Sequence, residues 1–309
     1  LTMITNKHGL PEAFVNFARN DKYTKGDSDI SVTQLIDSPR VLLMREKYRD
    51  EMSTDAMDMV FALFGTAVHA VLEGATGDNV VKEERIYADV KGWTLSGAID
   101  QYEIEDDGII ITDYKVTSVW SVIYSKQEWV NQLNVYAYLL EKEKNIPVKK
   151  IQICAILRDW NRREASLKPD YPDTPMVVLD IPLRSFKART QYVESRMDIH
   201  QEARQSFDFD DTMTLCNSDE RWARPDKWAV MKKGRKSAIK LFNDKEIAED
   251  HIEWKKSQPS KGSKANPYLS DDYYVEHRKG DNPRCSGNYC GVAEFCSQYR
   301  EMLNEQERL

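Results

Sequence analysis

The chain has 309 residues, with 44 Lys and Arg against 51 Asp and Glu, a formal net charge of −7. Hydrophobic residues make up 41% and charged residues 31%, against about 25% charged in ordinary domains, a balance that excludes a membrane protein and a disordered chain. Net acidity excludes a protein that coats nucleic acid through bulk charge, but not an enzyme with a local basic surface around an acidic, metal-binding centre.

No stretch approaches the ~18 apolar residues a bilayer span needs, so no membrane partner is expected. Leu1–Asn20 lacks the continuous apolar segment of a signal peptide, and a cytoplasmic, reducing location is expected. The five cysteines then read as thiols or metal ligands rather than disulfides. The start at Leu1 reads as a fragment or a non-standard initiation codon.

Residues 1–50 read as helical, with a loop at Lys25–Asp29. Ser31 or Thr33 can cap a helix carrying Leu35, Val41, Leu42 and Leu43, and Thr54 can cap the next. In that next helix Met57, Val60, Phe61, Phe64, Val68 and Leu72 recur at three- and four-residue spacing, as on a core-facing stripe, until Gly74. The period then changes to two. Strands are expected over Val80–Val90, Trp93–Ile104 and Ile109–Val116, the last two joined by the polar turn Glu105–Gly108. A helix over Gln127–Lys144 stops before Pro147. Strands over Val148–Leu157 and Met176–Ile181 and a helix over Ser185–Gln205 complete a mixed α/β core over residues 1–206. A boundary is expected in the acidic stretch Phe207–Asp219. Residues 207–309 read as a smaller α+β module: a hairpin of Trp228–Lys232 and Lys236–Phe242, a helix from Asp244 to Trp254, a linker over Ser257–Ser263 and a strand at Tyr273–His277.

The hairpin carries the chemistry. If Ile104 pairs with Ile109, Asp100 lies opposite Asp113, and alternation puts Asp100, Asp113 and Lys115 on one face. Two neighbouring carboxylates flanked by isoleucines repel each other, and a hard divalent cation, Mg²⁺ or Mn²⁺, relieves the repulsion. Lys115 adds a positive donor beside it. A solvated hairpin with ordinary surface charges is the alternative the residues leave open. Upstream, His69 and Glu73 share a helix face with Gly65; His69 could supply a nitrogen ligand and Glu73 an outer carboxylate, or His69 could be an ordinary core histidine. Downstream, Gln132 and Tyr136 share a face and could orient the carboxylates or a phosphate, or simply edge a packed helix.

Taken in order, Gly65-x-x-x-His69, Gly97-x-x-Asp100, Asp113-x-Lys115 and Gln132-x-x-x-Tyr136 resemble the RecB-like, CRISPR-associated-exonuclease-like branch of the PD-(D/E)XK nuclease superfamily over roughly residues 31–160. The resemblance implies a restriction-endonuclease-like core with a mixed central sheet flanked by helices. It implies metal ligation by His69, Asp100, Asp113 and the Tyr114 backbone carbonyl, with Lys115 catalytic and Gln132 and Tyr136 accessory. Asp113 stands where Glu is commoner in the family. The implied function is Mg²⁺- or Mn²⁺-dependent hydrolysis of DNA phosphodiesters by an exonuclease of phage or mobile-element recombination or repair, bacterial or phage-encoded. An endonuclease, a catalytically idle DNA-binding accessory subunit on the same fold, and a structural metal-binding adaptor are the alternatives. The expected partners are single- or double-stranded DNA with free ends, and a recombinase or single-strand-binding protein.

Arg221–Lys240 holds eight basic residues against Asp226 alone, interleaved with Trp222 and Trp228. Lys232, Lys233, Arg235, Lys236 and Trp228 could line a DNA strand, or the segment could be a solvated hairpin. Cys216 precedes this module and Cys285, Cys290 and Cys296 follow it, so one metal held by all four would clasp its ends. A 4Fe–4S cluster, Zn²⁺ or plain thiols each fit that pattern. The trio Cys285-x4-Cys290-x5-Cys296 departs from the family's shorter first spacing, and the distant cysteine is usually N-terminal, near where Ser38 stands here. Cys154, on an apolar strand, reads as core.

Overall fold

In the computed structural model, which describes residues 3–20, 25–74, 79–124, 126–259 and 264–307, the N-terminal segment begins with a strand rather than a helix. The strand is β1 (Met3–Thr5), followed by α1 (Glu12–Arg19), β2 (Ile30–Ser31), α2 (Val32–Ile36), α3 (Pro39–Lys47) and β3 (Ser53–Asp55), which pairs parallel with β1. Ser31 caps α2 in a reciprocal box with Gln34. The single helix expected from Leu35 to Leu43 is two, because Pro39 holds the preceding Ser38 extended and opens α3 at its first turn. Thr54, expected to cap the next helix, lies inside β3. The cap is Asp55, whose carboxylate accepts from the Met57 amide at 3.1 Å and starts a turn of 3-10 helix into α4 (Val60–Glu73).

The stripe on α4 is not core. Phe61 is 54% and Phe64 46% exposed, because α4 meets the sheet chiefly along β6 and through polar side chains. The remaining elements of the first unit are β4 (Val80–Val90), β5 (Trp93–Glu105), β6 (Gly108–Thr117), α5 (Val119–Ile123), α6 (Gln127–Lys144), β7 (Val148–Leu157), α7 (Arg162–Leu167), β8 (Met176–Ile181) and α8 (Phe186–Asp210). The strands form a mixed sheet in the order β2-β5-β6-β7-β8, with β4 on the other edge of β5. β2 with β5 and β6 with β7 are parallel; the other pairs are antiparallel. The architecture is therefore mixed α/β, a mixed central sheet flanked by helices.

The parallel step from β6 to β7 needs a crossover, and α6 provides it. Its Leu133, Ala137 and Leu140 pack with Ile99, Ile109, Ile111, Ile151 and Ile153 in one continuous buried cluster. On β6, Ile109 and Ile111 point to the α6 side, while Tyr114 points to the other, where His69 of α4 meets it edge-on at 6.5 Å. α8 fastens α2: Arg196 Nε donates to the Leu35 carbonyl at 3.0 Å, and His200 Nε2 lies 3.1 Å from the same oxygen. Burial, with the Arg196 charge, pushes His200 down to about 4. α8 runs to Asp210 rather than stopping at Gln205, and Asp211 ends it in the left-handed region at φ 60°.

The chain divides into two units, Leu1–Thr214 and Leu215–Leu309. The second unit holds β9 (Lys227–Lys232), β10 (Lys240–Phe242), α9 (Lys245–Ser257), β11 (Tyr273–Arg278), α10 (Pro283–Ser286) and α11 (Ser297–Glu307). β10-β9-β11 is an antiparallel sheet, and α9 covers it through Ala248 and Ile252 against Val230. The expected hairpin pairs only from Lys240, opposite Val230, which leaves Lys236 in the turn instead of in a strand. Asp244 caps α9, which reaches Ser257 rather than Trp254. Of the expected linker, residues 260–263 lie outside the described residues. Among the described residues no helix is long and apolar enough to cross a membrane.

Gly97 is fixed by packing. A Cβ there would lie 2.9–3.0 Å from the Tyr136 ring and 3.0 Å from Leu139. Gly97→Ala is expected to cost about 1–3 kcal/mol by overpacking, measured as a lower urea midpoint at unchanged slope.

Candidate metal centre

Asp106 and Asp107 form the two-residue turn between β5 and β6, and Ile104 pairs with Ile109. The ladder then stops early. Its last pair is Gln101 with Thr112; beyond it, β6 keeps only β7 as a partner. β5 turns instead to β2, which pairs with Leu95 and Ser96. An opening is left between Gly97–Asp100 on β5 and Asp113–Thr117 on β6. The Asp100 carboxylate bridges it by accepting the Tyr114 amide at 2.8 Å.

The strict alternation expected along β5 fails at this point. Ile99 and Tyr102 are both buried in the core, so Asp100 and Gln101 between them both turn to the α4 side. Gln101 there accepts the Tyr114 hydroxyl at 3.0 Å. Asp113 and Lys115, in step with Ile109 and Ile111, face the α6 side. The expectation that Asp100 shares one face with Asp113 and Lys115 is therefore corrected: the three meet through the opening.

Asp113 is buried, its side chain 2% exposed, and its Oδ1 accepts no hydrogen bond. The Lys115 ammonium stands 2.8 Å from Oδ2. Burial alone would favour a neutral lysine, but Asp113, and after it Asp100 and Glu128, hold the Lys115 ammonium above its usual range. Burial, then the Asp113 charge, pushes Asp100 up to about 7, against the opposing pull of His69, Lys115 and the Tyr114 amide.

On the α4 side, His69 Nδ1 lies 3.2 Å from Glu83 Oε1 and 3.6 Å from Asp100 Oδ1. Ligand atoms of His69, Glu83 and Asp100 lie within 4.8 Å of one another. Among them is a cavity of about 10 Å³, lined also by Leu72, Lys82 and Tyr114, with room for one water-sized occupant. Glu83 belongs to this group and was not expected. It sits on β4 across from Asp100, where pairing skips from Lys82–Gln101 to Glu84–Ile99, and it adopts φ 48°. A left-handed Glu costs of order 1–3 kcal/mol and persists only where its surroundings impose it. The sequence held one trace of it, the acidic pair Glu83-Glu84 within a strand, but only the β4–β5 register shows which acid faces Asp100.

The other expected residues divide. Gly65 meets nothing within 4 Å of a built Cβ, so the His69 face is open. The Glu73 side chain lies outside the described residues. Tyr114 lines the cavity between the acids. Gln132 and Tyr136 are buried together, the amide donating to the phenol at 2.9 Å, with Tyr136 seated on Gly97. That contact supports β5 beneath the opening.

In the second unit, Gln298 grips the Cys216 backbone, accepting its amide at 2.9 Å and donating to its carbonyl at 2.8 Å, two residues past Cys296. Burial pushes the Cys285 thiol up, and Cys290 and Cys296 add to it. The sulfurs do not gather as closely as the first-unit ligands: among the described residues only His69, Glu83 and Asp100 meet the 4.8 Å spacing. Cys154 is buried in β7, as expected. Lys233, Arg235 and Lys236 are exposed at the β9–β10 turn; Lys232 lies over Tyr273 at 5.4 Å, and Trp228 stacks on His277 at 5.0 Å.

No family model matches the sequence, and no curated protein does. Fifteen solved chains match. One, described as the crystal structure of SSO0001, is 18% identical, with a TM-score of 0.40, over 61% of this chain and 82% of that one. This chain is thus a mixed α/β protein whose sheet opens beside a His, Glu and Asp cluster.

Asp100 ionises near 3.9, about the ordinary value, once the chain unfolds, and near 7 when folded. The folded state therefore holds the extra proton between those values, and stability falls as pH rises through that window and levels above it. His200 acts oppositely between about 4 and 6.5. The difference between parent and Asp100→Asn isolates the first effect: in chelator, the variant's Tm advantage should grow from pH 4 to 7 and then plateau. A pH-independent difference would contradict the burial of this carboxylate.

Proposed function

We propose that the chain is a metal-dependent nuclease of the PD-(D/E)XK type that hydrolyses DNA phosphodiesters. The observation that supports this most is Asp113, a buried carboxylate whose one polar partner is the Lys115 ammonium at 2.8 Å, set near an Asp100 pushed up to about 7. Buried like charges without partners are destabilising, and a bound divalent cation removes the penalty. The donor set is one imidazole with carboxylates, which suits Mg²⁺ or Mn²⁺. His69, Glu83, Asp100 and Asp113 are the side chains that would hold it.

A bound cation would polarise the phosphoryl oxygen and make water more acidic. Water adds to phosphorus, the ester P–O bond breaks, and the departing oxygen takes up a proton. Lys115, kept as an ammonium, stabilises negative charge gathering on the phosphoryl oxygens rather than acting as a base. Asp113 fixes that ammonium in place. Gln132 and Tyr136 hold β5 from below, so Asp100 keeps its position. In the second unit, Lys232, Lys233, Arg235, Lys236 and Trp228 would contact the DNA backbone and bases. Cys216, Cys285, Cys290 and Cys296 would clasp the module around a 4Fe–4S cluster. Zn²⁺ is the alternative metal for the same four thiols.

With Mn²⁺, end-labelled linear DNA should be degraded while closed circles survive; cutting of circles would make the enzyme an endonuclease. Asp113→Ala and Lys115→Ala should each lower turnover at least about 100-fold with the fold intact by circular dichroism. Cleavage retained in both would reject the reading. Glu83→Gln should weaken Mn²⁺ binding by about tenfold in titration calorimetry. Reversing charge at Lys233 and Arg235 should flatten the salt dependence of DNA binding.

A further inference from the structure

Aromatic side chains crowd the end of the sheet where β6 and β7 finish. α4 carries His69 into the centre and, about 7 and 12 Å back along its axis, Phe64 and Phe61. These rings meet edge to face at 6.3 Å and are about half exposed. β6 passes from Lys115 to Thr117 and on to α5, whose Trp120 and Tyr124 stack at 5.7 Å with planes 12° apart. They are 56% and 74% exposed. Arg158 touches the first group and the strand end that leads into the second. Its amide donates to the Thr117 carbonyl at 3.0 Å, and its guanidinium lies 3.9 Å over the Phe61 ring.

An exposed apolar face invites a protein partner, but the charge here favours another occupant. Arg158, Arg162 and Arg163 follow one another within six residues, all exposed. Among the described residues no carboxylate pairs with Arg162 or Arg163. The neighbouring acids are held elsewhere: Asp159 accepts the Val119 amide at 2.8 Å, and Glu164 pairs with Lys168. Aromatic planes interleaved with guanidinium groups suit bases and phosphates together. Ring stacking needs free base faces, which a duplex hides inside its own stack.

We propose that Phe61, Phe64, Trp120, Tyr124 and Arg158 form a stacking rim that takes a single-stranded segment of nucleic acid leaving the metal centre. This rests on the phosphodiesterase reading only for what happens at the centre; strand binding at the rim is measurable without cleavage. The rim selects unpaired strand over duplex because each ring offers a base one stacking partner.

The test measures affinity in chelator for a fluorescein-labelled thymidine oligonucleotide and for a blunt duplex of equal length, using the full chain. Trp120→Ala and Phe61→Ala remove exposed rings and should each weaken the single strand about tenfold while duplex affinity stays unchanged. Mn²⁺-dependent hydrolysis of bis(p-nitrophenyl) phosphate, too small to reach the rim, should be unaffected in both. Unchanged single-strand affinity, or equal losses for strand and duplex, overturns the rim. So does sedimentation showing the parent as a dimer that either variant dissociates. If the parent hydrolyses no diester while the variants still lose the single strand, the rim stands and the nuclease reading falls.

Discussion

The structure turns on one buried carboxylate. Asp113 lies at the point where β5 and β6 part, its Oδ1 without a hydrogen bond and its Oδ2 paired with a single ammonium, that of Lys115, 2.8 Å away. One cation balances one anion, yet Asp100 adds a second negative charge across the opening. The protein meets this excess partly by favouring the protonated form of Asp100 and partly by the Tyr114 amide bonded to it. A neutralised carboxylate is a poor resting state for a stability element and a suitable one for a site that takes up a cation.

The scaffold keeps the opening from closing. β5 is drawn to β2 at Leu95 and Ser96 while β6 stays with β7, so two separate ladders pull the strands apart. Beneath them Tyr136 fits against a glycine that admits no side chain, and Gln132 fixes the phenol. The apolar packing of α6 is thereby transmitted to the backbone position of Asp100. This explains how buried residues remote from solvent bear on a polar centre.

Much of this was legible because it is local. The Asp106–Asp107 turn fixes the β5–β6 register, and the register fixes which residues approach one another. Helix α6 and strands β7 and β8 follow from period and from Pro147. What escaped depends on contacts distant in sequence. Glu83 faces Asp100 only through the β4–β5 register and a left-handed backbone that no local pattern announces. Period two predicted one face for Asp100, Asp113 and Lys115, and the slip between Ile99 and Tyr102 breaks it. The stripe on α4 had the spacing of a core face, since periodicity reports amphipathicity but not what covers it. Thr54 looked like a cap because β1, its strand partner, read as helix.

The exposure of α4 and the strain at Glu83 have a common consequence. α4 is tied to the rest of its unit by a few polar threads: His69 to Glu83 and Asp100, and the Leu72 carbonyl to the Lys82 ammonium at 2.5 Å. A helix with no fully buried residue gains little from packing, so these ties set its position. A cation shared by His69, Glu83 and Asp100 would bind α4, β4 and β5 at once. Its binding energy would then add to the ties that already hold the helix in place.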